Sequence, residues 1–79
     1  MDKSLAAQLE SVLHKAAGEG ASLTSMTVDY GAIDVAGELD AKAWIERATR
    51  SLIFAQAELR RADGGLAASG SAIFRRSEV

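Results

Sequence analysis

The chain has no cysteine and no proline, a single histidine (His14), and only one tryptophan, one tyrosine and two phenylalanines among its 79 residues. Each scarcity closes a route. Without cysteine there is no disulfide and no thiolate metal site. With one histidine a multi-His metal centre is excluded as well. No long apolar run exists: the longest stretch without a charged residue, Gly64 to Phe74, is too short to cross a bilayer. Nor is there a surplus of basic charge. Nine Lys and Arg stand against eleven Asp and Glu, for a net charge of −2 and a pI near 5.2. Nucleic-acid-binding domains usually carry the opposite balance. The start, Met1-Asp2-Lys3, lacks the apolar stretch of a signal peptide. These features predict a cytoplasmic protein that binds neither nucleic acid nor membrane and uses no metal or cofactor.

What is present is 48% apolar and 25% charged, a globular rather than a disordered composition. At this length one domain, residues 1–79, is the expectation. A domain this small buries only about 60% of the surface its unfolded chain exposes. It needs a staple or a partner, and with disulfides and metals excluded, association with other copies is the remedy left.

The local patterns are uneven in clarity. Ser4 is a suitable N-cap for a helix over about 5–17, where Leu5, Leu9, Val12, Leu13 and Ala16 form one apolar stripe. Gly18-Glu19-Gly20 stops it. From about 23–30 the period changes to two, with Met26, Val28 and Tyr30 alternating against Ser25, Thr27 and Asp29, as in a strand. The segment from Leu39 to Ala62 fits two patterns. Trp44, Ala48, Leu52, Ala55, Leu59 and Ala62 make a helical stripe in a good helix-forming composition. Read with period two, it gives strands at about 38–48 and 52–61, broken near Thr49-Arg50-Ser51. Asp63-Gly64-Gly65 is a hairpin-turn signal, followed by an alternating strand over about 66–76. A hairpin needs a strand on each side, which favours the extended reading of the residues before it.

Read in order, the stretch from Met26 to Arg76 resembles the second part of a hotdog-fold domain of the acyl-CoA thioesterase superfamily, especially its phenylacetate-pathway-like branch. The resemblance lies in the strand Thr27-Val28-Asp29-Tyr30, in Gly37-Glu38-Leu39-Asp40-Ala41, in the Arg47-x-x-Arg50 break, and in the Asp63-Gly64 hairpin leading to Ala68-Ser69-Gly70-Ser71-Ala72. It implies an α+β fold, one central helix packed on a curved antiparallel sheet of about four strands. It further implies a homodimer, possibly a tetramer, and an acyl-CoA ligand. The family's further N-terminal element and His-Gly-Gly-like loop have no counterpart ahead of Ser4, and the Gly31–Gly37 connection looks shortened. Hydrolysis is therefore expected to be weak or replaced by binding. A non-catalytic oligomerising domain and, outside the resemblance, a helical hairpin module are the alternatives.

The resemblance places one carboxylate, Glu10, at the catalytic position on the helix. There it would activate water or attack the thioester carbonyl, an acid–base role for which carboxylates suit. The simpler reading of the same residue is an acid on a solvated helix face, four residues from His14. Thr24 and Thr27 fall where the family's strand passes the substrate cleft, and strand propensity explains them as well. Arg60 and Arg61 are candidate ligands for substrate phosphates, because guanidinium groups bond oxyanions in a fork. Edge protection by charge is the alternative. Trp44, placed on a strand, points away from the helix, toward a subunit interface or toward Phe54.

Overall fold

The computed structural model describes residues 4–31 and 38–76. Helix α1 (Leu5–Ala17) begins where Ser4 Oγ accepts the Ala7 amide at 3.0 Å, satisfying a donor that the first turn leaves unpaired. It ends at Gly18, whose amide returns to the His14 carbonyl at 3.0 Å. Leu9 and Leu13, one turn apart, are fully buried, and Leu5, Val12 and Ala17 pack at their flanks.

Four strands follow: β1 (Ala21–Tyr30), β2 (Leu39–Ala48), β3 (Leu52–Arg61) and β4 (Leu66–Arg76). They form one antiparallel sheet in the order β1-β4-β3-β2, with α1 against one face. The α+β architecture expected from the sequence, a helix on a four-stranded antiparallel sheet, is the one observed. Strand β1 starts two residues earlier than the alternation suggests, because Ala21 and Ser22 pair with Arg76 and Arg75. The Gly31–Gly37 connection lies, beyond Gly31, outside the described residues.

The stretch after Leu39 is extended despite its helix-forming composition, and the burial pattern shows why. On β3, Ile53, Ala55, Ala57 and Leu59 are all at most 4% exposed, while their alternate neighbours are half-buried on the other face. A helix would scatter these four around its circumference. As a strand they make one floor beneath α1, and the tertiary contact outweighs propensity. Alanine at 55, 57, 68 and 72 keeps that floor low, so the helix approaches closely. At Gly70, opposite Ala57 and Val28, Leu9 Cδ1 lies 3.5 Å from where a Cβ would stand.

Three irregularities curve the sheet, at Thr24 in β1, Glu46 in β2 and Ala67 in β4. An extra residue in one strand bends it and increases its twist. At the third, Ala67 and Ala68 are both fully buried, which strict alternation forbids. The β3–β4 hairpin is closed by the Gly64 amide on the Arg61 carbonyl at 2.9 Å and the Arg61 amide on the Gly65 carbonyl at 2.8 Å. Gly64 adopts φ 92°, in the left-handed region that glycine enters without a Cβ penalty.

Gly31, just after β1, gives the first prediction. Its amide bonds the Ala67 carbonyl at 2.9 Å, and a Cβ there would fall 2.6 Å from the Leu66 carbonyl oxygen. That neighbour is backbone within a paired strand and has little freedom to retreat. Gly31→Ala should cost about 1–3 kcal/mol, read as a lower melting temperature. An unchanged melt would mean that β1 ends differently.

Candidate functional site

Glu10 stands on the exposed flank of α1, one residue from buried Leu9. Its Oε2 lies 3.6 Å from His14 Nε2 across one helical turn, with both side chains about half exposed (49% and 44%). The His14 ring meets buried Phe74 edge-on, with centroids 5.1 Å apart and planes at 76°. This contact seats the imidazole against β4. A shallow depression lined by His14, Lys15 and Gly18 to Ala21 opens beside it at the end of the helix. Chemically, the pair is a proton acceptor with an imidazole in reach to share charge. Among the described residues no group of three or more His, Asp or Glu is arranged to hold a metal ion.

The threonines lie elsewhere. Thr24 occupies the β1 bulge, and its hydroxyl donates to the Ile73 carbonyl at 2.9 Å. Thr27 sits opposite Ser71. Its neighbours Met26 and Val28 pack on the core, so Thr27 faces away from α1. The structure brings neither hydroxyl to Glu10.

Arg60 and Arg61 are engaged by acids of their own hairpin. Arg60 Nε and Nη2 donate to the two Glu58 carboxylate oxygens at 2.9 and 3.2 Å, and Nη1 donates to the Gly64 carbonyl at 3.0 Å. Arg61 Nε lies 3.4 Å from Asp63 Oδ1, which also accepts the Gly65 amide at 2.8 Å. The spacing Glu58-x-Arg60 carried this signal, because residues two apart on a strand share a face.

These contacts depress both acids. The hydrogen bond from Arg60 holds the Glu58 carboxyl below its ordinary range, helped by the charges of Arg60 and Lys42. The Gly65 amide does the same for Asp63, seconded by the Arg61 charge. A carboxyl whose folded pKa is lowered adds stability above its unfolded pKa and loses it as pH falls through the folded value. Wild type should therefore lose melting temperature between about pH 5 and pH 2, and a Glu58→Gln, Asp63→Asn double variant should lose less. Equal acid slopes would mean that the hairpin acids are unpaired in solution.

Trp44 projects from β2 on the face opposite α1, beside Gln56 of β3, and its indole Nε1 donates to Glu46 Oε2 at 2.7 Å. It is half-buried. Among the described residues, the two large apolar side chains most open to solvent, Tyr30 (65%) and Ile45 (40%), lie on the edge strands β1 and β2. No described helix is long and apolar enough to cross a membrane.

No family model matches this sequence. No curated protein matches it either. Among solved structures, the chain is similar to the X-ray structure of a protein from the thioesterase superfamily, with a TM-score of 0.65 and 29% sequence identity. The match covers 70% of this chain and 42% of that one, so this chain spans less than half the length of its structural relative. The helix on a four-stranded antiparallel sheet is thus a hotdog-like, thioesterase-type fold, and the likeness in structure and sequence supports the thioesterase superfamily.

Proposed function

We propose that the protein is a cytoplasmic, thioesterase-like domain that binds acyl-CoA-type thioesters and hydrolyses them with Glu10. The observation that carries the reading is the 29% identity, at a TM-score of 0.65, to a thioesterase-superfamily structure. The motif order from Met26 to Arg76 favours the phenylacetate-pathway-like branch within it. Exposed on the helix and flanked by His14, the Glu10 carboxylate takes a proton from water as that water attacks the thioester carbonyl. A C–O bond forms, the C–S bond breaks, and the proton passes to the leaving thiolate.

The open edges of β1 and β2 support a homodimer, possibly a tetramer. Each edge is a row of backbone groups without a strand partner among the described residues, and Tyr30 and Ile45 leave apolar surface beside them. Thr24, Thr27, Arg60 and Arg61 belong to the reading only as groups that a substrate would meet in such an assembly. The half-exposed position of Glu10 favours a second reading, a non-catalytic ligand-binding or oligomerising domain. Hydrolysis of acyl-CoA thioesters by wild type and by Glu10→Gln separates the two. Turnover that depends on Glu10 supports catalysis, and no turnover supports the binding domain.

A further inference from the structure

Glu10 is placed to take a proton from water, yet it does not border the depression at the end of α1. The member of the pair that does is His14, which lines it with Lys15, Gly18, Glu19, Gly20 and Ala21. The cavity has a volume of about 440 Å³, within the range of small-molecule sites. Glycine and alanine in its wall leave room for a slender group. A substrate arm seated there meets an imidazole, not the carboxylate.

The imidazole can pass a proton between the two places. Its Nε2 lies 3.6 Å from Glu10 Oε2 across one helical turn. The ring is seated edge-on against the fully buried Phe74, with centroids 5.1 Å apart. Its other nitrogen, Nδ1, has no hydrogen-bond partner among the described residues. A neutral imidazole carries a proton on one nitrogen and accepts on the other. It can therefore accept from Glu10 at Nε2 while donating from Nδ1. The 3.6 Å separation is longer than a hydrogen bond, as catalytic contacts often are before substrate binds. Lys15 and Glu19 bring one charge of each sign to the depression. They offer a departing thiolate no net cation, which leaves a task for a proton donor.

We propose that His14 is a catalytic proton relay, protonating the leaving sulfur of a thioester whose thiol arm lies in this depression. The role rests on the thioester reading and adds to it the route of the proton. Glu10 takes a proton from water as the water oxygen bonds the carbonyl carbon. As the C–S bond breaks, the sulfur takes the Nδ1 proton and Nε2 takes the one held by Glu10. Glu10 ends ionised. His14 ends as the other neutral tautomer, and exchange with solvent resets the half-exposed ring.

Thioesters that share an acyl group and differ in what leaves test the relay. Acyl-CoA and S-phenyl thioesters form such pairs, and acetyl, palmitoyl and benzoyl groups cover short, long and aromatic acids. An alkyl thiolate gains from a proton as it departs, whereas a phenyl thiolate spreads its charge into the ring and leaves without one. With an unchanged melt, His14→Gln should lose about a hundredfold or more in kcat/KM on the acyl-CoA and about threefold or less on its S-phenyl partner. Glu10→Gln should lose about equally on both, because both need the attacking water activated. Should His14→Gln melt earlier, wild type carries the test, since its single histidine can be modified with diethyl pyrocarbonate. Acyl-CoA turnover should then fall further than S-phenyl turnover and return with hydroxylamine. Unchanged acyl-CoA turnover after either change, or equal losses on both leaving groups, would overturn the relay and leave the thioester reading standing. No thiol release by wild type from any pair would overturn both.

Discussion

Phe74→Ala is expected to remove a large share of the protein's stability. Among the described residues Phe74 is the largest fully buried side chain, lying between Ile53 of β3 and Leu23 of β1 and closing the core under the His14 ring. Truncating a buried phenylalanine costs about 3–5 kcal/mol, from lost transfer energy and from the cavity left behind. A chain of this length has roughly 4–12 kcal/mol in total, at about 0.05–0.15 kcal/mol per residue. The melting temperature should therefore fall by tens of degrees, at about 4–8 °C per kcal/mol. Phe54→Ala is the control. Phe54 is only half-buried and lies on the sheet face away from α1, so its loss should be clearly smaller. Thermal melts followed by circular dichroism compare them. If Phe74→Ala melts within a few degrees of wild type, the core does not lie where the structure has it.

The second large effect concerns chemistry rather than folding. Glu10→Gln keeps the shape of the side chain and removes its ability to take a proton. A positioned general base contributes about 10²–10⁴ in rate, equivalent to roughly 3–5 kcal/mol of barrier. The carboxylate is half exposed and meets His14 at 3.6 Å. Its loss should therefore leave stability within about 0.5 kcal/mol, as for surface substitutions in general. A large fall in turnover with an unmoved melt is the signature of this role. A parallel fall in both would make Glu10 structural.

The parts of the fold that were legible from sequence are those set by neighbours in the chain. Ser4, the stripe of Leu5, Leu9 and Leu13, and Gly18 define α1 locally, since capping and a helical period need no distant partner. The Asp63-Gly64 turn marks a hairpin for the same reason. From Leu39 onward the local pattern stays divided, because the alanines fit a helix as well as a strand. What decides is a long-range event, the seating of Ala55 and Ala57 under α1. Nor do the bulges at Thr24, Glu46 and Ala67 leave a mark in composition, for each depends on the register against another strand. The candidate site was legible only in part. Helical spacing gives the Glu10 and His14 pair, whereas Phe74, which holds the imidazole, lies sixty residues away and is visible only in the fold. The engagement of Arg60 by Glu58 is a same-face strand pair, readable once the segment is known to be extended.

The most direct test of the thioester reading is the rate of thiol release from acyl-CoA substrates of short, long and aromatic acyl groups. Wild type and Glu10→Gln are compared at matched stability. The account predicts turnover by wild type on at least one of them, and a loss of about a hundredfold or more in kcat/KM for Glu10→Gln. No thiol release by wild type from any of the three, or equal rates in both proteins, would contradict it.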